Sequence, residues 1–189
     1  MTEHHGAERS AWLEQRKTLL EKEKAATHAL DELAAARRAL PWVRVDEAYT
    51  FDTSAGQKTL AELFGPRSQL IVYHFMFAPE WERPCKSCSF WADNWSGAVQ
   101  HLRARDVTLL AVSRAPLEKL EAWKRRMGWT FEWVSSGKTA FSYDLDASSR
   151  DADRAAGRAR WNFAPLPADG PSDMPGFSAF AKDASGSVF

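Results

Sequence analysis

Three short apolar runs set the frame of the chain: Gln69-Leu-Ile-Val-Tyr-His-Phe-Met-Phe77, Val107-Thr-Leu-Leu-Ala-Val-Ser113 and Phe131-Glu-Trp-Val-Ser135. Runs of this length, bounded by polar and turn-forming residues, read as strands, and the first two as strands covered on both faces, as at the centre of a parallel sheet. Between them the apolar positions take helical spacing. Ser89 to Arg105 is expected to be helical, with Phe90, Trp91, Val99 and Leu102 as core contacts and a kink at Gly97. The next helix starts with Pro116 as its first residue, turns Leu117, Leu120, Trp123 and Met127 toward the sheet, and stops at Gly128. Strand, helix, strand, helix, strand predicts an α/β sheet with right-handed crossovers.

Upstream, Leu13, Leu20, Leu30, Leu33 and Leu40 mark a loose apolar stripe through a charged segment, so Ser10 to Leu40 is expected to be one long helix. Ser10 is the expected N-cap, and Pro41 disfavours helix at the residue before it. The stripe thins around Glu21 to Lys24, which leaves part of the helix to project into solvent or lie across a second copy, with a solvated helix packed on its own domain as the equal alternative. Pro41–Asp46 and Glu47–Asp52 alternate apolar and polar residues as two short strands do, with Ser54-Ala-Gly56 as the following turn. Thr59 to Phe64 then forms a short helix stopped by Gly65-Pro66. Residues 1–40 are thus a helical extension and 41–189 one domain. From Asp146 to about residue 170 the chain is a polar insertion, after which Phe177-Ser-Ala-Phe180 returns as a strand and Val188-Phe189 begins another.

Composition narrows the function classes. Lys plus Arg and Asp plus Glu are equal at 25 each, so no net field draws the chain to nucleic acid or an anionic membrane. No run approaches the roughly 18 apolar residues of a membrane span, and the opening Met1-Thr-Glu-His-His-Gly-Ala-Glu-Arg9 lacks the apolar core of a signal peptide. With its two cysteines at redox-motif spacing, the cytoplasm is the expected compartment, and any disulfide is expected to cycle instead of serving structure. Nine tryptophans are many for 189 residues, and Trp81, Trp91 and Trp95 flank the only two cysteines. Such rings either fill a core or wall a substrate cleft.

The chemistry points to Cys85-Lys-Ser-Cys88. The pair follows a buried strand and a loop through Pro79 and Pro84, and it opens a predicted helix whose first-turn N–H groups favour a thiolate at Cys85. Lys86 and Arg83 add positive charge there, and Glu80 and Glu82 oppose it. With two residues between them, Cys85 can attack a disulfide and Cys88 can resolve the mixed intermediate. Two other uses of the pair stand beside this one. Half of a zinc site needs two further ligands, and His4, His5, His28, His74 and His101 show no pairing at ligand spacing. Two inert, packed thiols are the remaining use.

The phrases Tyr73-His-Phe-Met-Phe77, Cys88-Ser-Phe-Trp-Ala-Asp-Asn94, Val112-Ser-Arg-Ala-Pro116, Lys124-Arg-Arg-Met-Gly-Trp129 and Pro41-Trp-Val-Arg44 resemble a bacterial thioredoxin-like family labelled as a domain of unknown function, over nearly the whole chain. The resemblance implies a thioredoxin-like central mixed sheet flanked by helices, nearer the peroxiredoxin branch. It carries the nucleophile to Cys85, the resolving cysteine to Cys88, and a cis-proline packed against the pair to Pro175, within Met174-Pro-Gly176. Trp81, Trp91 and Met174 become the substrate-binding candidates. Departures are clear as well. Lys86-Ser87 replaces the Gly-Pro of thioredoxin, and Glu82 stands where peroxiredoxins carry an activating threonine. The family also continues past Val188, so the chain is expected to be a fragment or a shortened member.

The function expected from the sequence is a thiol–disulfide oxidoreductase that acts on a protein or small-molecule disulfide. It would need no cofactor and no metal, depend on an unidentified reductant, and self-associate through its N-terminal helix. A thiol-dependent peroxide reductase using the same pair, and a redox-inert thioredoxin-fold interaction module, are the competing functions.

Overall fold

The computed structural model describes residues 5–189. The opening residues from Met1 to His4, which carry part of the argument about a signal peptide and one of the histidines considered for zinc, lie outside them. The chain divides into two compact units, the first running to Val43 and the second comprising Arg44–Phe189.

The first unit is built on α1 (Arg9–Arg38), whose side chains are all at least partly exposed. Its N-cap is Glu8, not Ser10, and no side chain caps it. Ion pairs along its surface, among them Arg16–Glu23 at 2.9 Å, and two arginines in the last turn suit a solvated helix whose C-terminal end attracts positive charge.

The second unit starts with a hairpin, β1 (Thr50–Thr53) and β2 (Gly56–Thr59), closed by Ser54-Ala55 with Gly56 at φ 103°. Pro41–Asp46 forms no strand; Val45 instead donates its N–H to the Val188 carbonyl at 2.8 Å. The helix α2 (Leu60–Leu63) follows, set by a capping box in which Thr59 and Glu62 satisfy each other's backbone N–H groups. The remaining elements, in order, are β3 (Gln69–His74), α3 (Lys86–Ala92), α4 (Trp95–Arg103), β4 (Val107–Ser113), α5 (Leu117–Met127) and β5 (Glu132–Ser135). Beyond β5 come α6 (Phe141–Asp144), α7 (Asp151–Ala155), the small hairpin β6 (Arg160–Trp161) and β7 (Ala164–Pro165), and β8 (Gly176–Ala181).

The main sheet has the order β2-β1-β5-β4-β3-β8. β3, β4 and β5 run parallel, while β1 and β8 join as antiparallel outer strands. It is a mixed sheet with apolar layers on both faces. Tyr73, Phe75, Ala111 and Trp133 meet α3, α4 and α5 on one face. Leu70, Val72, Leu110 and Val134 meet Phe51, Leu60, Phe64 and Phe141 on the other. This double covering explains why β3 and β4 lack alternation.

Several boundaries differ from the sequence expectation. The helix after the cysteines is broken at Asp93–Asn94, not at Gly97, which lies inside α4. Asn94 turns its amide back onto the Phe90 carbonyl of α3 at 3.0 Å, and Asp93 accepts the indole N–H of Trp129, a partner outside the helix, at 2.8 Å, so these two bonds mark the break. Cys88 and Ala92, one turn apart, take the inward face of α3, which leaves Phe90 70% and Trp91 57% exposed instead of in the core. Pro116 is the N-cap of α5, not its first helical residue, and Met127 near its end is 37% exposed. Gly128 does end that helix, in the left-handed conformation. Val188 makes only an isolated bridge to Lys182, continued by a reciprocal pair of bonds between Ala181 and Phe189.

Candidate active site

β3 leaves the sheet at His74, and the chain then stays tied to the ends of the strands. Phe75 donates its N–H to Val112 at 2.9 Å, Ala115 donates to Phe77 at 2.9 Å, and Cys85 donates back to Met76 at 3.1 Å. These three bonds close the loop that presents the cysteines. Cys85 is the N-cap of α3, with φ −57° and ψ 130°, and it is half-buried. Its carbonyl receives both the N–H and the hydroxyl of Ser89, each at 3.0 Å. Cys88 lies in the first turn of the same helix, 1% exposed and part of the apolar layer beneath the sheet.

Both cysteines are free thiols, and their side chains lie within hydrogen-bonding reach of each other. Burial pushes the Cys88 thiol up to about 11, while hydrogen bonds from the Tyr73 hydroxyl and the Met76 N–H act in the opposite direction. Burial, and then the neighbouring Cys88, hold the Tyr73 hydroxyl far above the ordinary phenol range. The pair is therefore asymmetric: one cysteine half-buried at a helix start, the other enclosed and supplied with two donors.

Of the residues expected around the cysteines, Trp81 packs on the same apolar layer as Cys85. Trp95 is buried, its ring perpendicular to Tyr73 at 4.8 Å between centroids. Trp91 points outward. Pro175 has a trans peptide bond, because no cis bond occurs among the described residues, and the expectation of a cis-proline is corrected. It borders a cleft with His74, Trp161 and Gly176, and its carbonyl accepts the Trp161 indole N–H at 3.0 Å. Met174 donates its N–H to Ala147 at 2.9 Å and lines a water-sized void of about 10 Å³ beside Ser148 and Asp173. Those bonds place Met174 and Pro175 in the packing of the polar insertion. Among the described residues no group of three or more His, Cys, Asp or Glu side chains is gathered to hold a metal ion.

The sequence reading missed Tyr73 and Lys119. Tyr73 was legible in principle, since Ile71 and Tyr73 of β3 and Phe75 just past it share one face by alternation and α3 must cover that face. His74 points the other way, with Nε2 at 2.9 Å from the Ser178 hydroxyl and its ring stacked on Phe141. Lys119 had no local signal: it reaches from α5 to the carbonyls of Pro79, at 3.0 Å, and of Trp81.

A family model described as "Bacterial protein of unknown function (DUF899)" matches residues 1–189. The chain belongs to this family. Among curated proteins none matches it. Solved structures similar to this DUF899 member include Xanthomonas campestris bacterioferritin comigratory protein, studied for alkyl peroxide reduction. It is 14% identical over 74% of this chain and 81% of that one, with a TM-score of 0.51. A cysteine-to-serine variant of X. campestris peroxiredoxin Q is 17% identical over 73% and 80%, with a TM-score of 0.49. Peroxidoxin BcpB from Mycobacterium tuberculosis is 9% identical over 78% and 83%, with a TM-score of 0.48. The fold is thioredoxin-like. No helix among the described residues is long and apolar enough to cross a membrane.

Proposed function

We propose that this DUF899 protein is a thiol–disulfide oxidoreductase in which Cys85 attacks and Cys88 resolves. The observation that carries it is the pairing of a half-buried cysteine at a helix start with an enclosed one in the first turn of that helix, their side chains close together. The Cys85 thiolate attacks one sulfur of a substrate disulfide, that S–S bond breaks, and the departing sulfur takes a proton. Cys88 then gives its proton to solvent and attacks the Cys85 sulfur, which releases the second substrate thiol and leaves Cys85–Cys88 oxidised. Two electrons have passed to the substrate, and an external dithiol returns them. The Tyr73 hydroxyl and Met76 N–H, as donors to Cys88, favour its thiolate at the moment it is needed. A cycling pair of this kind fits a reducing cytoplasm.

Cys85→Ser is expected to abolish turnover when disulfide reduction is coupled to a dithiol donor, and Cys88→Ser to accumulate a mixed disulfide visible as a mass increase. Undiminished turnover in Cys85→Ser would refute the assignment. A second substrate class, organic hydroperoxides, is favoured by the fold shared with the X. campestris protein. Here the Cys85 thiolate would break the O–O bond, release an alcohol and become a sulfenic acid, and Cys88 would condense with it and expel water. Glu82 in place of the activating threonine argues for the disulfide substrate. Hydroperoxide consumed at the expense of added thiol, with no reduction of disulfides, would reverse that preference.

A further inference from the structure

The loop that presents Cys85 has little to hold it within itself. Between Ala78 and Pro84 its internal backbone bond is Trp81 N–H to Ala78, and Pro79 and Pro84 have no N–H to give. The carbonyls of Pro79 and Trp81 nonetheless converge on one point, and two carbonyl dipoles aimed at one point repel unless a cation occupies it. The Lys119 ammonium occupies it. It donates to Pro79 at 3.0 Å and to Trp81, and it lies 5.2 Å from the centre of the Phe77 ring. Ammonium donors are thus shared between two carbonyls and a π face, all on the segment leading to Cys85.

We propose that Lys119 is the positioning residue of the thiol pair: by clamping the Pro79–Trp81 turn to α5 it fixes where the Cys85 sulfur stands over Cys88. The ends of the loop are tied by the bonds from Ala115 N–H to Phe77 and from Cys85 N–H to Met76, so the clamp supplies the tie across its middle. Without it the two carbonyls separate, the turn opens, and Cys85 loses its defined distance to Cys88, while the β-sheet and α5 keep their own packing. The inference rests on reading the pair as reactive, but its test addresses the sulfurs directly and not turnover.

The full chain with Lys119→Met, which keeps most of the apolar stem and removes the donors, is equilibrated with reduced and oxidised glutathione and compared with Lys119→Arg. Lys119→Met is expected to lower the effective concentration of Cys85 toward Cys88 by at least about tenfold, because small displacements of reacting groups are costly. Lys119→Arg, whose guanidinium can donate to both carbonyls, is expected to return it to within about twofold. A value in Lys119→Met within about twofold of the unsubstituted protein, or an arginine variant no better than the methionine one, overturns the proposal. Should Lys119→Met fail to fold, amide exchange in the unsubstituted protein decides. The N–H groups of Trp81 and Cys85 are expected to exchange at least about a hundredfold slower than in an unfolded chain, and exchange at the unfolded rate overturns the clamp. A pair that equilibrates as expected but turns over no substrate dismisses the enzymatic assignment and leaves the clamp standing.

Discussion

Cys88 and Tyr73 form the smallest unit on which the proposed chemistry depends. A thiol enclosed by apolar side chains resists ionising, yet the proposed resolving step needs its thiolate, and the Tyr73 hydroxyl is the side-chain donor that eases this conflict. Tyr73→Phe keeps the ring packing on Trp95 and removes that donor. The variant is expected to move the Cys88 titration, followed by thiolate absorbance, above its value of about 11, and to slow resolution of the mixed disulfide by about tenfold. Its neighbour His74 answers to pH on the opposite face. Burial lowers its pKa from 6.5 to about 4, so on acidification the unfolded chain takes up the proton first. The stabilisation is complete above 6.5 and drains away as pH falls from 6.5 to about 4, on the order of 3 kcal/mol in all. Denaturant midpoints measured across that window are expected to fall with pH, and a flat profile would contradict the burial of a neutral imidazole.

At the scale of elements, the joints at the ends of the strands do the positioning. Gly137, just after β5, lets the chain pass so close to the Arg114 carbonyl that a Cβ there would stand 2.6 Å from the oxygen. Because the obstacle is backbone, Gly137→Ala is expected to cost about 2 kcal/mol in denaturant unfolding and to disturb the β4–α5 joint. Much at this scale was legible beforehand. The apolar runs of β3 and β4, the turn at Ser54-Ala-Gly56, the short helix α2 and the Gly128 stop each rest on local chemistry that the sequence prints, whereas β2 was not foreseen as the second arm of a hairpin. The break between α3 and α4 was not legible, since the Trp129 indole that holds Asp93 comes from 36 residues away. For the same reason Phe90 and Trp91 were misread as core: helical spacing says which residues share a face, not which face meets the sheet. In the candidate site the spacing of the cysteines could be read directly, whereas Lys119 reaches Trp81 across 38 residues and no local pattern could announce it.

At the scale of the whole molecule, one partly buried cation fastens the polar insertion to the sheet. Arg114, at the end of β4, donates to Asp173 at 2.6 Å, to the Tyr143 hydroxyl at 2.9 Å and to the Ser172 hydroxyl at 3.1 Å. Asp173 also accepts from the Ser148 hydroxyl at 2.9 Å, so both ends of the insertion converge there. Arg114→Met would leave an enclosed carboxylate without its partner and is expected to destabilise the fold by about 3 kcal/mol, measured by chemical denaturation. The Ala147–Met174 region is expected to lose amide protection before the parallel strands do.

The indole of Trp95, set against Tyr73 and so one ring away from Cys88, ties the state of the sulfurs to light. An excited indole is quenched by a nearby disulfide far more than by a pair of thiols. Oxidation of the pair should therefore dim the emission and reduction restore it, giving the protein an optical gauge of its own electron count without any added dye.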